Sequence, residues 1–454
     1  MLLKNGLIFD DKSGELQKGD LRIEGEQIKE ISEFLNKKNG EKEIDISGKY
    51  VLPGIIDSHV HFELESRGTV SDDDFYQGSV SAVYGGVTTI IDYADMNKES
   101  IRSGLKNRKN KAKDETIVDY NFHLVINNDF EINKDLDEIY KLPDQGISSL
   151  KLFTTYEDIY MLAEEKMEKI FSVASEIGLT VTVHSEDNEL IKEKQKEYKN
   201  KNKVDFKYHS EIRSAEVEKK AIEKLSKFAK KSGAKLYIVH LSSQKGYEAT
   251  LKARDMGVDI YVETTPHYLL LTKELLKGTE GRYNFMTPPL RSKEDNKALW
   301  KGVIDKKIDT VATDHCAFSK DKKDKGNNVF DTYPGIAGVE TLFPLIYTYG
   351  VEKGKITIKR LIELLSINPA KIFGLYPKKG SLKEGSDADI LVYDPEIKRT
   401  LNAKDLHSNS NHTSFAGMEV KGRTYLTILR GNILLKDDEL KAKKGYGKFV
   451  KAKV

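Results

Sequence analysis

His59 and His61 in DSHVHF (57–62) follow the apolar run VLPGII, and on an extended chain residues two apart point to the same side. Such a short pair, alone, reads as two incidental histidines. Four further residues change its weight. His184 ends TVTVH (180–184), His240 ends LYIVH (236–240), Asp314 follows DTVAT (309–313), and Lys151 lies in ISSLKLF (147–153). Taken singly, each reads as a satisfied core histidine, a capping aspartate or a strand-end lysine paired with an acid. Taken together, imidazoles and a carboxylate suit zinc or a similar first-row divalent ion. Four histidines and an aspartate crowd one tetrahedral site but suit two. A lysine ammonium cannot bind a cation. Once it loses its proton, from a reference pKa near ~10.4, and is carboxylated by carbon dioxide, its carbamate can bridge two metals ~3.5 to 4 Å apart.

The elements that must position these groups are readable as well. Apolar strand-like runs fall near 55–61, 87–92, 118–125, 148–155, 180–184, 236–241, 259–264 and 309–314. Helical patterns lie between most of them, at 72–84, 98–113, 161–177, 213–231 and 291–302. Runs such as TVTV and LYIV, apolar without alternation, fit strands buried on both faces. Eight βα units close a barrel, and all its strand ends open on the face where such barrels build their sites. A doubly wound open sheet fits the same pattern. The first fifty residues and the stretches 387–395 and 425–440 alternate instead as short strands, and RGNILLKD near the end echoes KNGLIFDD at the start. Both termini are therefore expected to share one β-rich unit.

The chain has 454 residues, enough for a barrel plus a second module. Its 74 basic and 72 acidic residues nearly cancel, so no global field draws it to nucleic acid or anionic membrane. No run reaches the ~18 to 20 apolar residues of a membrane helix, and the start lacks the order of a signal peptide. A single cysteine, Cys316, permits no internal disulfide and fits a reducing cytoplasm. The charged stretch 192–207 reads as a solvated loop or helix face, and the basic tail KAKKGYGKFVKAKV as a solvated or partner-packed terminus.

The same residues resemble the amidohydrolase superfamily, whose order is H-x-H, carboxylated lysine, His, His, Asp. Within it the chain is similar to dihydropyrimidinases and hydantoinases through PGIIDSHVHF, GTVSDDDFYQGSVSAVYGGVTTIID, SLKLFTTY, VHSEDNELI, YIVHLSS, ETTPHYLLLT, TPPLRSKEDNKALW, ATDHCAF, GVETLFPL, NPAKIFGLYPKKGSLKEGSDADILVYDP and GMEVKG, nearly end to end. The resemblance implies an α/β fold, a (β/α)8 TIM barrel over 54–375, with a small β-sandwich from 1–53 and 376–454, the latter including an oligomerisation tail. It implies two divalent metals, zinc with manganese or cobalt as alternatives. His59, His61, the carboxylated Lys151 and Asp314 would hold one; the same carbamate, His184 and His240 would hold the other. A metal-bridging hydroxide would open a 5,6-dihydropyrimidine or a 5-substituted hydantoin to an N-carbamoyl amino acid. Asp314 would carry the proton from the hydroxide to the leaving nitrogen, and Tyr156 would stabilise the oxyanion. A homotetramer or homodimer is implied, with the tail resembling segments that pack on a neighbouring subunit. Leu64, Phe153 and Tyr160 are the expected apolar wall for ring substituents.

Several positions depart from the pattern. Thr287 in MTPPLR stands where hydantoinases usually have serine, and keeps the hydroxyl. Pro334 in DTYPGIAGVE stands where the family reads Pro-Asn-Gly, and a proline cannot offer substrate a backbone N–H. NHTSFAGM (411–418) also departs. Dihydroorotases, an alternative with allantoinases, carry an arginine third in H-x-H-x-R; here Glu63 takes that place, a charge expected to repel a substrate carboxylate. Scaffold relatives, the collapsin response mediator proteins, have lost the ligands that this chain retains.

Overall fold

The computed structural model describes every residue of the chain except Asn97 and Glu99. Eight strands stand side by side in chain order: Ile55–Asp57, Val87–Asp95, Asp119–Val125, Ser149–Phe153, Thr180–His184, Lys235–Ile238, Ile260–Thr264 and Thr310–Val311. Every neighbouring pair is parallel. The first and eighth strands meet beyond their own ends. Val60 bridges to His315, the His61 amide donates to the His315 carbonyl at 2.7 Å, and the Asp57 carboxylate accepts from the Thr313 amide (3.1 Å) and hydroxyl (2.5 Å). The eight apolar runs are thus the staves of a (β/α)8 barrel. They lack alternation because side chains on both faces are buried, one set in the barrel and one under helices.

The intervening helices fall where the periodicity sets them. Phe75–Tyr84 starts at Asp74, whose carboxylate accepts from the Gln77 amide, and Lys293–Ile304 opens with a reciprocal Ser292–Asp295 capping box. Glu164–Glu176 and Ala215–Ser232 occupy the spans expected at 161–177 and 213–231. Ile101–Lys113 lies within 98–113, of which Glu99 is outside the described residues. The charged stretch 192–207 begins on a helix, Asn188–Asn200, that buries Ile191 and Tyr198 and turns its lysines and glutamates outward. Among the described residues, no helix is long and apolar enough to cross a membrane.

Both ends of the chain meet in one nine-stranded sheet. Leu2–Phe9, Leu16–Glu24 and Gln27–Ser32 form the expected meander, and Ile390–Thr400, Glu419–Leu429, Asn432–Lys436 and Glu439–Leu440 a second one. Tyr50–Pro53 joins them, parallel to Leu2–Phe9 and antiparallel to Ile390–Thr400. This joining strand runs directly into the first barrel strand through Gly54. A side chain there would meet the Thr88 hydroxyl at 2.1 Å, so only glycine lets the sheet sit this close to the barrel.

At the opposite end of the barrel from the strand termini, Lys379 is enclosed by Asp119, Asp387 and Asp389 at 2.5, 2.9 and 2.7 Å, with Arg430 also on Asp119. The basic tail lies against this floor. The Val450 amide donates to the Tyr120 carbonyl, Ala452 to Gly146 and Lys453 to Gly374, and the Asn121 side chain donates to the Val450 carbonyl. The tail that the resemblance places against a neighbouring subunit is seated here along its own barrel, through backbone hydrogen bonds to carbonyls near the strand bases.

Candidate active site

The barrel brings together every residue singled out for chemistry. His59, His61, Lys151, His184, His240 and Asp314 line one cavity of about 290 Å³, with Tyr156, Thr287, Pro334, Leu64, Phe153 and Tyr160 in the same wall. They arrive from the ends of strands one, four, five, six and eight, and from the loops that follow.

Within the cavity two halves face each other. Asp314 Oδ1 lies 3.1 Å from His59 Nε2 and 3.2 Å from His61 Nε2. His184 Nδ1 lies 3.0 Å from His240 Nε2. Nitrogen and oxygen atoms of His59, His240 and Asp314 fall within 4.8 Å of one another, close enough for one ion to touch all three. Lys151 stands over the Tyr93 and Phe153 rings, its Nζ 5.0 Å from each centroid. Three of these groups hold a left-handed backbone that side chains seldom adopt: Tyr156 (φ 65°), His240 (φ 39°) and Asp314 (φ 53°). Each such residue stores on the order of 1–3 kcal/mol, a cost that surrounding structure sustains mainly where geometry serves function.

The electrostatics fit a cation-binding cluster. Burial lowers the proton affinity of His61, His184 and His240, leaving neutral imidazoles, the form that ligates metal. Burial would also lower His59, but the Glu263 and Asp314 carboxylates overcome it and lift His59 to about 9. Burial pushes Asp314 up, and the neighbouring histidines outweigh this and hold it well below the usual carboxylate range. Burial brings Lys151 down to about 7, with the more distant Asp314 and Glu263 only partly opposing it. Its amine therefore has a substantial neutral fraction near pH 7. His61 Nδ1 is buried without a hydrogen-bond partner.

Three residues that the sequence reading missed complete the site. Glu186 accepts at 2.7 Å from His184 Nε2, which leaves Nδ1 as the inward nitrogen. Glu186 also pairs with the buried Arg213, whose guanidinium lies 5.3 Å from the Tyr156 ring. Glu263 holds His59 Nδ1 at 2.7 Å, leaving Nε2 inward. The two imidazoles thus present opposite nitrogens because their outer partners differ. A charged residue inside the apolar strand IYVET was the available signal for Glu263; the Glu186–Arg213 pairing joins separate elements and left none.

The selectivity residues are placed as follows. Phe153 and Tyr160 stack at 4.7 Å, and the Thr287 hydroxyl lies 3.3 Å from His209 Nε2. Beside Pro334, the Gly335 amide is already bonded to the Phe285 carbonyl. Glu63 does not face the cavity: it pairs with Lys111 at 3.0 Å. Glu63 is thus not part of the cavity wall, where the cation Arg67 lies among the carboxylates Glu65, Asp95 and Asp314. The 411–418 segment packs beside the loop after Asp314, where Asn411 accepts from the Lys320 amide and His412 bonds the Phe318 carbonyl.

Comparison with known proteins agrees with this geometry. The model of the amidohydrolase family matches residues 50–434. The D-hydantoinase of Geobacillus stearothermophilus is 34% identical over 99% of this chain and 96% of its own length. The D-phenylhydantoinase of Escherichia coli O1:K1 / APEC is 35% identical over 100% and 98%. The solved D-hydantoinase (dihydropyrimidinase) from Thermus sp. superposes with a TM-score of 0.95 at 34% identity, covering 100% of this chain and 99% of that one. The chain is a hydrolase that belongs to the amidohydrolase family and, within it, to the hydantoinase and dihydropyrimidinase branch.

Proposed function

We propose that this chain opens a cyclic amide, a 5,6-dihydropyrimidine or a 5-substituted hydantoin, to its N-carbamoyl amino acid. The observation that carries this is the convergence of six ligand-type side chains and Tyr156 on one cavity. His59, His61, Lys151 and Asp314 would hold one divalent ion, and Lys151, His184 and His240 a second, with zinc favoured and manganese or cobalt as alternatives. Lys151 fits this role as N6-carboxylysine. Its neutral amine attacks carbon dioxide, a C–N bond forms, the nitrogen proton leaves, and an anion replaces the cation that the cluster could not accommodate. When bound, such metals would supply Lewis acidity and a water-derived nucleophile near neutral pH.

The chain's own groups do the rest. Asp314, anionic at neutral pH, accepts the nucleophile's proton and delivers it to the departing ring nitrogen. Tyr156 donates its phenol hydrogen to the carbonyl oxygen as charge develops there. Phe153, Tyr160 and Leu64 exclude water from the ring substituent. Thr287 and Pro334 flank the ring's polar edge, where Pro334 can offer a carbonyl but no N–H.

The assay that tests this is ring opening by the metal-loaded protein, with dihydrouracil, dihydrothymine, hydantoin, 5-substituted hydantoins, allantoin and dihydroorotate compared side by side. Opening of the first four classes at the highest kcat/KM is expected. A second reading has one observation in its favour: Arg67 in the cavity wall suits an anionic ring such as dihydroorotate. Preference for that substrate would reverse the order. The proposal extends to a cytoplasmic homotetramer or homodimer with domains at 1–53, 54–375 and 376–454, which light scattering and limited proteolysis would check.

A further inference from the structure

Glu263 is the second-last residue of the seventh barrel strand, and its side chain is fully enclosed. Among the described residues no lysine or arginine reaches it. Three donors from other parts of the barrel meet its charge instead. Oε1 accepts from His59 Nδ1 at 2.7 Å and from the His240 backbone N–H at 2.9 Å. Oε2 accepts from the Tyr237 hydroxyl at 2.8 Å, and that hydroxyl in turn lies 2.6 Å from the Thr310 hydroxyl.

One oxygen therefore holds one member from each half of the cluster. His59 belongs to the half centred on Asp314, and His240 faces His184 in the other. The two are held in different ways. For His59 the bond fixes the ring, so that Nε2 points inward. For His240 it fixes the backbone, which sits in the left-handed region and needs a restraint to stay there. Tyr237 and Thr310 hold the carboxylate's far oxygen and so its orientation.

We infer that Glu263 is a positioning residue that yokes the two halves of the cluster, so that both metal positions form together. The inference rests on the two-metal reading above. Outer carboxylates on ligating histidines are commonly worth 10–100-fold in metal affinity. An ordinary one acts on a single ligand, whereas this one acts on two.

The test titrates metal-free protein with zinc chloride in bicarbonate buffer and counts bound equivalents by calorimetry and elemental analysis. Wild type is expected to take up two equivalents in one transition. Glu263→Ala is expected to weaken both equivalents together by ~10–100-fold. Glu263→Gln keeps volume and one acceptor oxygen, and Tyr237→Phe removes only the far bond; both should fall between. Weakening of one equivalent with the other intact would overturn the yoke. So would unchanged affinities in the folded variants, with only the melting temperature of metal-free protein lowered. Should Glu263→Ala fail to fold, the Glu263→Gln and Tyr237→Phe pair decides by the same criterion. Wild type that binds no zinc would sink the two-metal reading itself, a different result from wild type binding two ions that the variants lose separately or not at all.

Discussion

Lys151 and Lys379 sit at opposite ends of the same barrel, each about 1% exposed. At the floor, burial pulls Lys379 down, but Asp389, Asp119 and Asp387 outweigh it and raise its pKa. It is a permanent cation, tying the base of the third strand to the sheet built from both termini. At the rim, Lys151 has no carboxylate within ion-pair distance among the described residues, and burial wins. One lysine type thus yields a structural rivet and a reactive amine. The difference lies in what was buried alongside it. The space between Asp119, Asp387 and Asp389, which lie close enough together to hold an ion, is taken by the Lys379 ammonium, with Arg430 also on Asp119.

The largest effect should come from the rim. On the proposed function, Lys151→Met would remove the carbamate and with it the bridge between the metals. Loss of several kcal/mol of transition-state stabilisation corresponds to a fall in kcat/KM on the order of 10³ or more. Metal content should fall in the same preparation, while metal-free protein should melt no lower than wild type, because a buried, unpaired amine has been replaced by an apolar chain. A Lys151→Met protein that still opened its substrate at a tenth of the wild-type rate would remove the carbamate from the mechanism.

The floor should respond in the opposite sense. Lys379→Met leaves three aspartates around a missing cation, and breaking a buried pair in this way costs about 3–5 kcal/mol. Urea and thermal midpoints should drop accordingly, while the turnover of each folded, metal-loaded molecule stays near wild type. A lowered turnover with an unshifted midpoint would mean that the floor speaks to the rim.

Tyr156→Phe separates rate from stability on the rim itself. Removing one oxyanion donor typically costs ~10² to 10³ in kcat. Steady-state kinetics should show that loss with metal content unchanged. A rise in KM alone would make Tyr156 a packing residue beneath the substrate.

The rim was readable in the sequence and the floor was not, for a physical reason. Five of the six candidate ligands sit at or just past the end of an apolar run, as with TVTVH and LYIVH, and a barrel turns strand ends into neighbours without further information; Lys151 lies within its strand. The floor joins Asp119, Lys379, Asp387, Asp389 and Arg430 from separate elements, and no local period marks them. The tail docks through backbone hydrogen bonds, for which its basic side chains give no signal. Glu63 shows the converse failure: its place in the motif suggested a role in the cavity, but Lys111 draws it away.

The smallest effect sharpens the comparison by adding a third lysine. Lys323 is fully buried, donates, among the described residues, only to the Phe285 and Tyr333 carbonyls at 3.0 and 3.4 Å, and is brought by burial to about 7, like Lys151. In the unfolded chain a lysine keeps its proton to about 10.4. Between these values the unfolded state binds more protons than the folded one, so stability rises with pH, by at most about 1.4 kcal/mol per unit for each such lysine. Lys379 has the opposite sign. Its folded pKa is raised, so its contribution is complete below the unfolded value and is constant across the window. In metal-free protein in carbonate-free buffer the contribution of these lysines should therefore rise from pH ~7.5 to ~9.5, while His59, lifted to about 9, opposes it over the lower part of that window. The test is therefore a difference: Lys323→Met should lose stability relative to wild type as pH rises, by at most about 1.4 kcal/mol per unit. Urea midpoints across that range check it. A Lys323→Met midpoint that kept a constant offset from wild type across that range would show that Lys323 remains charged when buried, and burial would no longer account for the contrast between rim and floor.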